Sequence, residues 1–464
     1  MRWIWMTLCL AMAGPAFADE SERALDAIAR SEWEISGVPG LAYAVFEDGR
    51  IQSGAQGVVR AGQDTGVTAD TPFALGSISK SFTALAILQL EEAGQVELDG
   101  AVSAYLPAFE AAPGRSITLR QLLSHTSGYS TSQGNVNPDG AAILQDRVAQ
   151  IATWQTSHAP GEHWEYSNAN YVVLGAVIET VSGRDYADYI EAEILTPLGM
   201  QHSRVADGRA DPAMATPHVP WFGSRRALPG QLPDPASAPA GGVIASAQDV
   251  ALYLGMMMNG QDDLITAEHK ALMMRPASDA APFYGLGWYV DTRNGSVSHT
   301  GTTPGGETLA LMRPDEGRAV VVLVNASSGL GFGETGRLRY AVALAAFGET
   351  LAPDGGVWGR KLLTLMFWIL PPLFLAGIAI AWLKRAGLRA KTGVSGMFSL
   401  WFPLPVSLAL AWVSLFLIPA LFGISLSTLA LYQPDWVIAL WATAVTGLAW
   451  ALFRLGVYFA PGRH

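Results

Sequence analysis

Residues 73–94 read FALGSISKSFTALAILQLEEAG. Ser77 and Lys80 stand three apart, just behind Gly76, at the head of an apolar-periodic run that predicts a helix over 77–94. Positions three apart on a helix share a face, so the Lys80 amine can reach the Ser77 hydroxyl. Gly76 permits a sharp entry turn. A serine in the first turn lies where unpaired backbone N–H groups point outward, and a developing oxyanion is stabilised there. A serine hydroxyl becomes a nucleophile only when a base takes its proton. A lysine serves as that base when its amine is neutral, which needs desolvation or a nearby positive charge. Taken alone, S-x-x-K is a common spacing and fits a serine N-cap followed by a solvated lysine better.

Two later stretches change the balance. In GEHWEYSNANYVVLGAVIE (161–179), Tyr166 and Asn168 stand just before an apolar run that reads as a helix. A tyrosine beside a lysine cation has its pKa lowered and can act as base or proton shuttle. The Asn168 amide can donate to a substrate carbonyl and orient the lysine. In VSHTGTTPGG (297–306), an edge strand ending in His299, Thr300 and Gly301 can lie along a substrate. Gly301 removes the side chain where a ligand must come close. The Thr302 backbone N–H is positioned to be a second oxyanion donor beside that of Ser77. Each stretch also has a structural reading: a helix cap with a packed tyrosine, and a strand entering a Gly-rich turn.

Together the three stretches resemble the serine β-lactamase and penicillin-binding-protein superfamily. The likeness is to its class C β-lactamase, D-alanyl-D-alanine carboxypeptidase, D-aminopeptidase and esterase branch. LRQLLSHTSGY (119–129), LTPLGM (195–200), PASAPAGGVIASAQDVALY (235–253) and YGLGW (284–288) look like further segments of that family, in its order. The resemblance covers roughly residues 25–350. It implies an α/β (α+β) fold of the β-lactamase/transpeptidase type, an antiparallel sheet flanked by helices with a helical lobe beside it. It also implies that Ser77 attacks a carbonyl to form an acyl-enzyme while Lys80 and Tyr166 share the proton transfers. Asn168 then orients substrate and Lys80, the Ser77 and Thr302 N–H groups hold the oxyanion, and His299, Thr300 and Gly301 border the substrate. One position departs from the pattern. The family's β-lactamases carry a lysine where this chain has His299, and a histidine is largely neutral near pH 7. It is a weaker anchor for a substrate carboxylate, so efficient β-lactam hydrolysis is not expected.

The rest of the body fits that outline. A helix is predicted at 20–34, and strands at 40–49 and 50–59 join at Asp48-Gly49, a hairpin signal. Strands return at 296–301, 307–315 and 318–326, followed by an amphipathic segment at 334–348. Strands at both ends with helices inserted between them predict one sheet closed by both termini, with the site in the cleft beside a helical lobe. The stretch 217–242 reads as a long loop, and Arg225 and Arg226 in it as solvated. His125 reads as a structural loop residue, since Lys80 and Tyr166 already supply bases, and Met256 to Met258 read as core filler. The histidines show no metal-binding spacing, so neither metal nor cofactor is expected.

The two ends of the chain are different in kind. Of its 464 residues, 50% are hydrophobic and only 15% charged, and the apolar excess is concentrated at the termini. Residues 1–18 carry Arg2, an apolar stretch too short to span a bilayer, and Ala16-Phe17-Ala18 before Asp19, the pattern of a cleaved export signal. An uncleaved anchor is the competing reading. The single cysteine, Cys9, lies in this segment. A mature body at 19–356 would hold none, which excludes disulfides and cysteine catalysis. From 357 to 464 the composition is that of a membrane region, with spans expected at 362–383, 397–422 and 436–453. Lys384, Arg385, Arg389 and Lys391 follow the first span, whereas 423–435 has no basic residue. The positive-inside rule then places the C-terminus in the cytoplasm and the body on the extracytoplasmic side of a bacterial inner membrane. The formal charge of −11 argues against nucleic acid as a partner.

The sequence therefore predicts a membrane-anchored serine hydrolase acting on a small-molecule, peptide, peptidoglycan-derived or ester substrate. The alternative is a catalytically silent module that binds cell-wall material or an antibiotic and signals through the tail.

Overall fold

The computed structural model describes residues 14–135, 143–209, 211–230, 234–328, 334–352 and 357–460. Most of the predicted export signal lies outside the described residues. Helix α1 (Gly14–Ser36) precedes strands β1 (Gly40–Glu47) and β2 (Arg50–Gly57). They are joined at Asp48 and Gly49, whose φ angles of 50° and 77° are both positive, as a tight twisted hairpin turn requires. Helices α2 (Ser79–Glu92), α3 (Asn168–Ser182) and α4 (Ala247–Met258) follow. The chain then returns as β3 (Tyr289–Asp291), β4 (Ser296–Thr303), β5 (Gly306–Arg313) and β6 (Arg318–Val324), and closes the body with α5 (Glu334–Ala345).

The six strands form one antiparallel sheet in the order β2-β1-β6-β5-β4-β3. The N-terminal hairpin thus pairs with the last strand, as expected from strands at both ends of the body. Successive side chains point to opposite faces, and the residues divide accordingly. Leu41, Tyr43, Val45, Leu309, Val320 and Val322 pack under α1 and α5, with Leu25, Leu338 and Val342. Ala42, Ala44, Ala310, Met312, Val321 and Leu323 belong to the core that runs under α4 into the helical lobe. Both faces are covered, so β1 and β6 are buried along most of their length.

In the lobe, α2 and α3 cross the interior. Ser79 to Leu88 and Ala169 to Ile178 are buried without a break. Helices hydrophobic all round are core helices, and polar groups on them must be satisfied internally. The stretch 217–242 is not one loop. His218–Trp221 pairs with Ser224–Ala227 as a small hairpin, and Arg225 is not solvated. It donates to the carbonyls of Ser327 and Gly37 and lies 4.0 Å from Glu334. Proline and paired arginines hid the alternation that would have marked these strands.

The tail holds three helices long and apolar enough to cross a membrane: α6 (Val357–Leu383), α7 (Gly393–Leu421, with a π turn at Val413–Leu417) and, beyond the short α8 (Leu426–Tyr432), α9 (Pro434–Phe459). They begin a few residues earlier than the sequence reading placed them, and the last runs further on.

The outer layer over the sheet gives a first test. Leu338 is fully buried on α5 while Tyr340, two residues on, is 42% exposed. Leu338→Ala should cost about 3 kcal/mol through the cavity it leaves, seen as a lower urea midpoint with unchanged slope, while Tyr340→Ala should stay within about 0.5 kcal/mol.

Candidate active site

Ser77 does not lie in the α-helix itself but in a single 3₁₀ turn, Gly76–Ile78, that runs into α2. The turn is held from behind by β4. The short β3 covers only Ser296 to Ser298 of β4, which leaves the His299–Thr303 edge free of a strand partner on that side. Gly76 has φ +57°, and a Cβ there would lie 2.7 Å from the Thr302 nitrogen. A Cβ on Gly301 would lie 1.9 Å from the Leu75 carbonyl oxygen, which instead accepts the Thr308 hydroxyl at 2.7 Å. Turn and strand therefore meet backbone to backbone, and any side chain at Gly301 would force them apart.

Lys80 is fully buried and has no ion-pair partner among the described residues. Its Nζ lies 3.2 Å from Ser77 Oγ, 2.8 Å from Asn168 Oδ1 and 2.7 Å from the Ala240 carbonyl oxygen. A neutral amine has two N–H donors and one lone pair. The two carbonyl-type oxygens accept N–H groups, and in the neutral amine the lone pair is left for the Ser77 O–H. Burial pulls the Lys80 pKa well below the ordinary lysine value, toward that neutral form.

Tyr166 packs over this amine, with Nζ 4.9 Å from the ring centroid. Its hydroxyl lies near enough to Ser77 to favour the phenolate slightly, yet completes no hydrogen bond with it. Burial dominates and pushes the phenol above its ordinary range. The sequence reading expected a lysine cation to lower this pKa. The structure opposes that expectation, because desolvation disfavours a phenolate and also lowers the Lys80 pKa. Asn168, the first residue of α3, accepts from Lys80 through Oδ1 and donates through Nδ2 to Asn135 Oδ1 at 3.1 Å.

His125, read as structural, is buried with φ +59°. Its Nδ1 accepts from the Ser167 backbone N–H at 3.1 Å and lies 2.9 Å from Asn170 Nδ2. Its ring is 4.3 Å from that of Tyr166. It braces the Tyr166–Asn168 segment from outside the proton path. His299 needs a correction. Its ring is 2% exposed, with Nδ1 2.7 Å from the Thr300 carbonyl oxygen and Nε2 3.3 Å from the Tyr284 hydroxyl. It faces aromatic rings rather than the cavity, and burial lowers its pKa to about 3. It offers a substrate carboxylate no charge at all.

The cavity measures about 240 Å³. Ser77, Asn168 and Thr302 are among its polar lining residues, and Val172 and Met214 among its apolar ones. Thr300 and Gly301 lie behind Thr302 on β4 and do not line it. Three lining residues had no sequence signal for this role: Thr428, Leu431 and Tyr432 of α8, in the C-terminal tail. Ala240, whose carbonyl holds Lys80, falls in the family-like segment 235–253 but acts through its backbone, which leaves no mark on residue type.

Comparison with known proteins identifies the family and the fold. The family model described as Beta-lactamase matches residues 25–345, and the chain belongs to that family. It is 27% identical over 320 residues, 67% of its length, to Protein flp of Staphylococcus aureus (strain COL), and spans 64% of that relative. The octameric penicillin-binding protein homologue from Pyrococcus abyssi superposes with a TM-score of 0.60 at 26% identity, over 70% of this chain and 77% of that one. A class C beta-lactamase gives a TM-score of 0.61 at 20% identity over 74% of this chain and 99% of its own, a likeness of fold.

The buried amine has a thermodynamic signature. Between its lowered folded pKa and the ordinary value of 10.5, the unfolded chain binds one proton more than the folded one. That contribution to stability therefore rises with pH across this window, by about 1.4 kcal/mol per pH unit. Urea unfolding of the native chain and Lys80→Met at pH 7, 8 and 9 should show the native chain gaining on the variant by that slope. Parallel pH dependences would mean that Lys80 is charged in the fold.

Proposed function

We propose that this chain is a membrane-anchored serine hydrolase that works through an acyl-serine intermediate on ester, peptide or peptidoglycan-derived substrates. The observation that carries the reading is the Lys80 amine, desolvated by burial and 3.2 Å from Ser77 Oγ. Family membership supports it.

In this mechanism Ser77 Oγ attacks the substrate carbonyl carbon as its proton passes to Lys80 Nζ. The carbonyl oxygen becomes an oxyanion that accepts the backbone N–H groups of Ser77 and Thr302. As the tetrahedral intermediate collapses, the bond to the leaving group breaks. The departing oxygen or nitrogen takes the Tyr166 phenol proton, and Lys80 returns its proton to Tyr166. Water then enters by the reverse route, losing a proton to the Lys80–Tyr166 pair and releasing the acid from Ser77. A phenol held protonated by burial suits Tyr166 to be the acid of the first half-reaction. The neutral, inward-facing His299 removes the usual attraction for a carboxylate, which favours uncharged esters and amides over β-lactams.

The body lies on the extracytoplasmic side in this reading. Lys384, Arg385, Arg389 and Lys391 follow α6, and Arg389 donates to the Val457 carbonyl at the far end of α9. The body instead meets α8 and the start of α9, so the basic connection and the body lie at opposite ends of the spans.

A fluorophosphonate probe should label the purified full-length protein at Ser77 and fail to label Ser77→Ala. Lys80→Met should label at least a hundredfold more slowly, and Tyr166→Phe should lose about 10²-fold in ester turnover. If the native protein takes no label while Ser77→Ala restores a deletion phenotype, the chain is a binding module and the hydrolase reading fails.

A further inference from the structure

The family domain does not complete the cavity at Ser77. The family match ends at residue 345, yet Thr428, Leu431 and Tyr432 line the cavity. Leu431 is 39% exposed and forms the rim. Tyr432 is half-buried, two residues before Pro434 opens α9.

This wall is pinned to the body and to the ends of the spans. Thr428 Oγ1 donates to the Asn135 carbonyl at 3.4 Å, and Gln433 Nε2 donates to the Ser328 carbonyl at 3.4 Å. The Phe222 backbone N–H donates to the buried Asp435 carboxylate at 2.9 Å, and the Phe222 ring meets Trp368 of α6 at 5.4 Å. Lys361 of α6 pairs with Glu334 of α5 at 2.5 Å. With α7 and α9 spanning the bilayer, their outer connection is α8, so the cleft opens against the bilayer surface.

We infer that the acyl donor is an amphiphile held at the membrane surface, its reacting carbonyl at Ser77 and its aliphatic part passing out along Leu431 and Tyr432. These two residues are then specificity determinants supplied by the tail. The inference rests on the acyl-serine reading above. The cavity of about 240 Å³ takes the reacting end of a lipid-like molecule, and a long aliphatic chain extends past the rim. There it meets an exposed leucine, an amphipathic tyrosine of the kind that sits at bilayer interfaces and the outer end of an apolar helix. A water-soluble donor has no use for a wall fixed at this height.

The test uses full-length protein in phospholipid nanodiscs with 4-nitrophenyl acetate and 4-nitrophenyl decanoate. The readout is the decanoate-to-acetate ratio of kcat/KM. Leu431→Ser and Tyr432→Ala should each lower that ratio about tenfold, through KM for decanoate, while Tyr432→Phe keeps it. Fluorophosphonate labelling of Ser77 reports that each variant is folded. Leu431 stands at an exposed rim, so Leu431→Ser carries the test alone if Tyr432→Ala does not fold. Labelled variants with an unchanged ratio overturn the amphiphile inference and leave the hydrolase standing. An unlabelled native protein overturns the hydrolase reading, and the inference with it.

Discussion

A lysine amine sealed inside the protein with no carboxylate beside it is the constraint around which this molecule is arranged. Carrying a charge into such a place costs several kcal/mol, so burial lowers the pKa of the amine toward its neutral form. Asn168 and Ala240 accept N–H groups of the amine, and Ser77 Oγ lies 3.2 Å from it. The uninterrupted burial of α2 and α3 keeps water from restoring the charge. Lobe packing and the chemistry of Ser77 are in this sense one property.

The same apolar surroundings set the character of every other titratable group near the serine. Tyr166 stays a phenol, His125 and His299 stay neutral imidazoles, and in each case burial is the leading cause. Arg147, the cation that does line the cavity, is engaged by Asp234 at 3.0 Å and by Ser237 at 2.9 Å. Among the described residues the cavity therefore lacks an unengaged cation for an anionic substrate. On the proposed mechanism a substrate would be selected by shape and by its carbonyl rather than by ion pairing.

Much of this was legible in the sequence, for definite reasons. The Asp48-Gly49 hairpin announces itself because few residue pairs tolerate two positive φ angles. The three spans announce themselves by length and lack of charge. Ser77, Lys80, Tyr166 and Asn168 could be grouped because their types and order together are rare, and the fold does bring them within contact. What stayed hidden is backbone-borne or directional. The Ala240 carbonyl has no residue signature. The inward turn of His299 depends on Tyr284, which residue order does not link to it. The hairpin at 218–227 is carried by Pro220, Arg225 and Arg226, which spoil its alternation. Hydropathy marked α7 and α9 as apolar, but it has no means of marking the seven residues of α8 as a cavity wall.

The number of spans follows from that wall. On the topology proposed above, a body outside the membrane needs one helix to stay there, and one helix ends in the cytoplasm. The chain returns to the outer surface only after a second span, and a third must then carry it back. Three spans are the smallest number that gives such a tail an outer connection closed at both ends. Here that connection is α8, buttressed by Thr428 on one side and Gln433 and Asp435 on the other. On the proposed topology a single anchor would leave the body at a variable height and tilt over the bilayer. Two attachments, through Lys361 at the head of α6 and through α8, join the tail to the body at separate points. The tail would then set the position of the cleft and supply part of its wall.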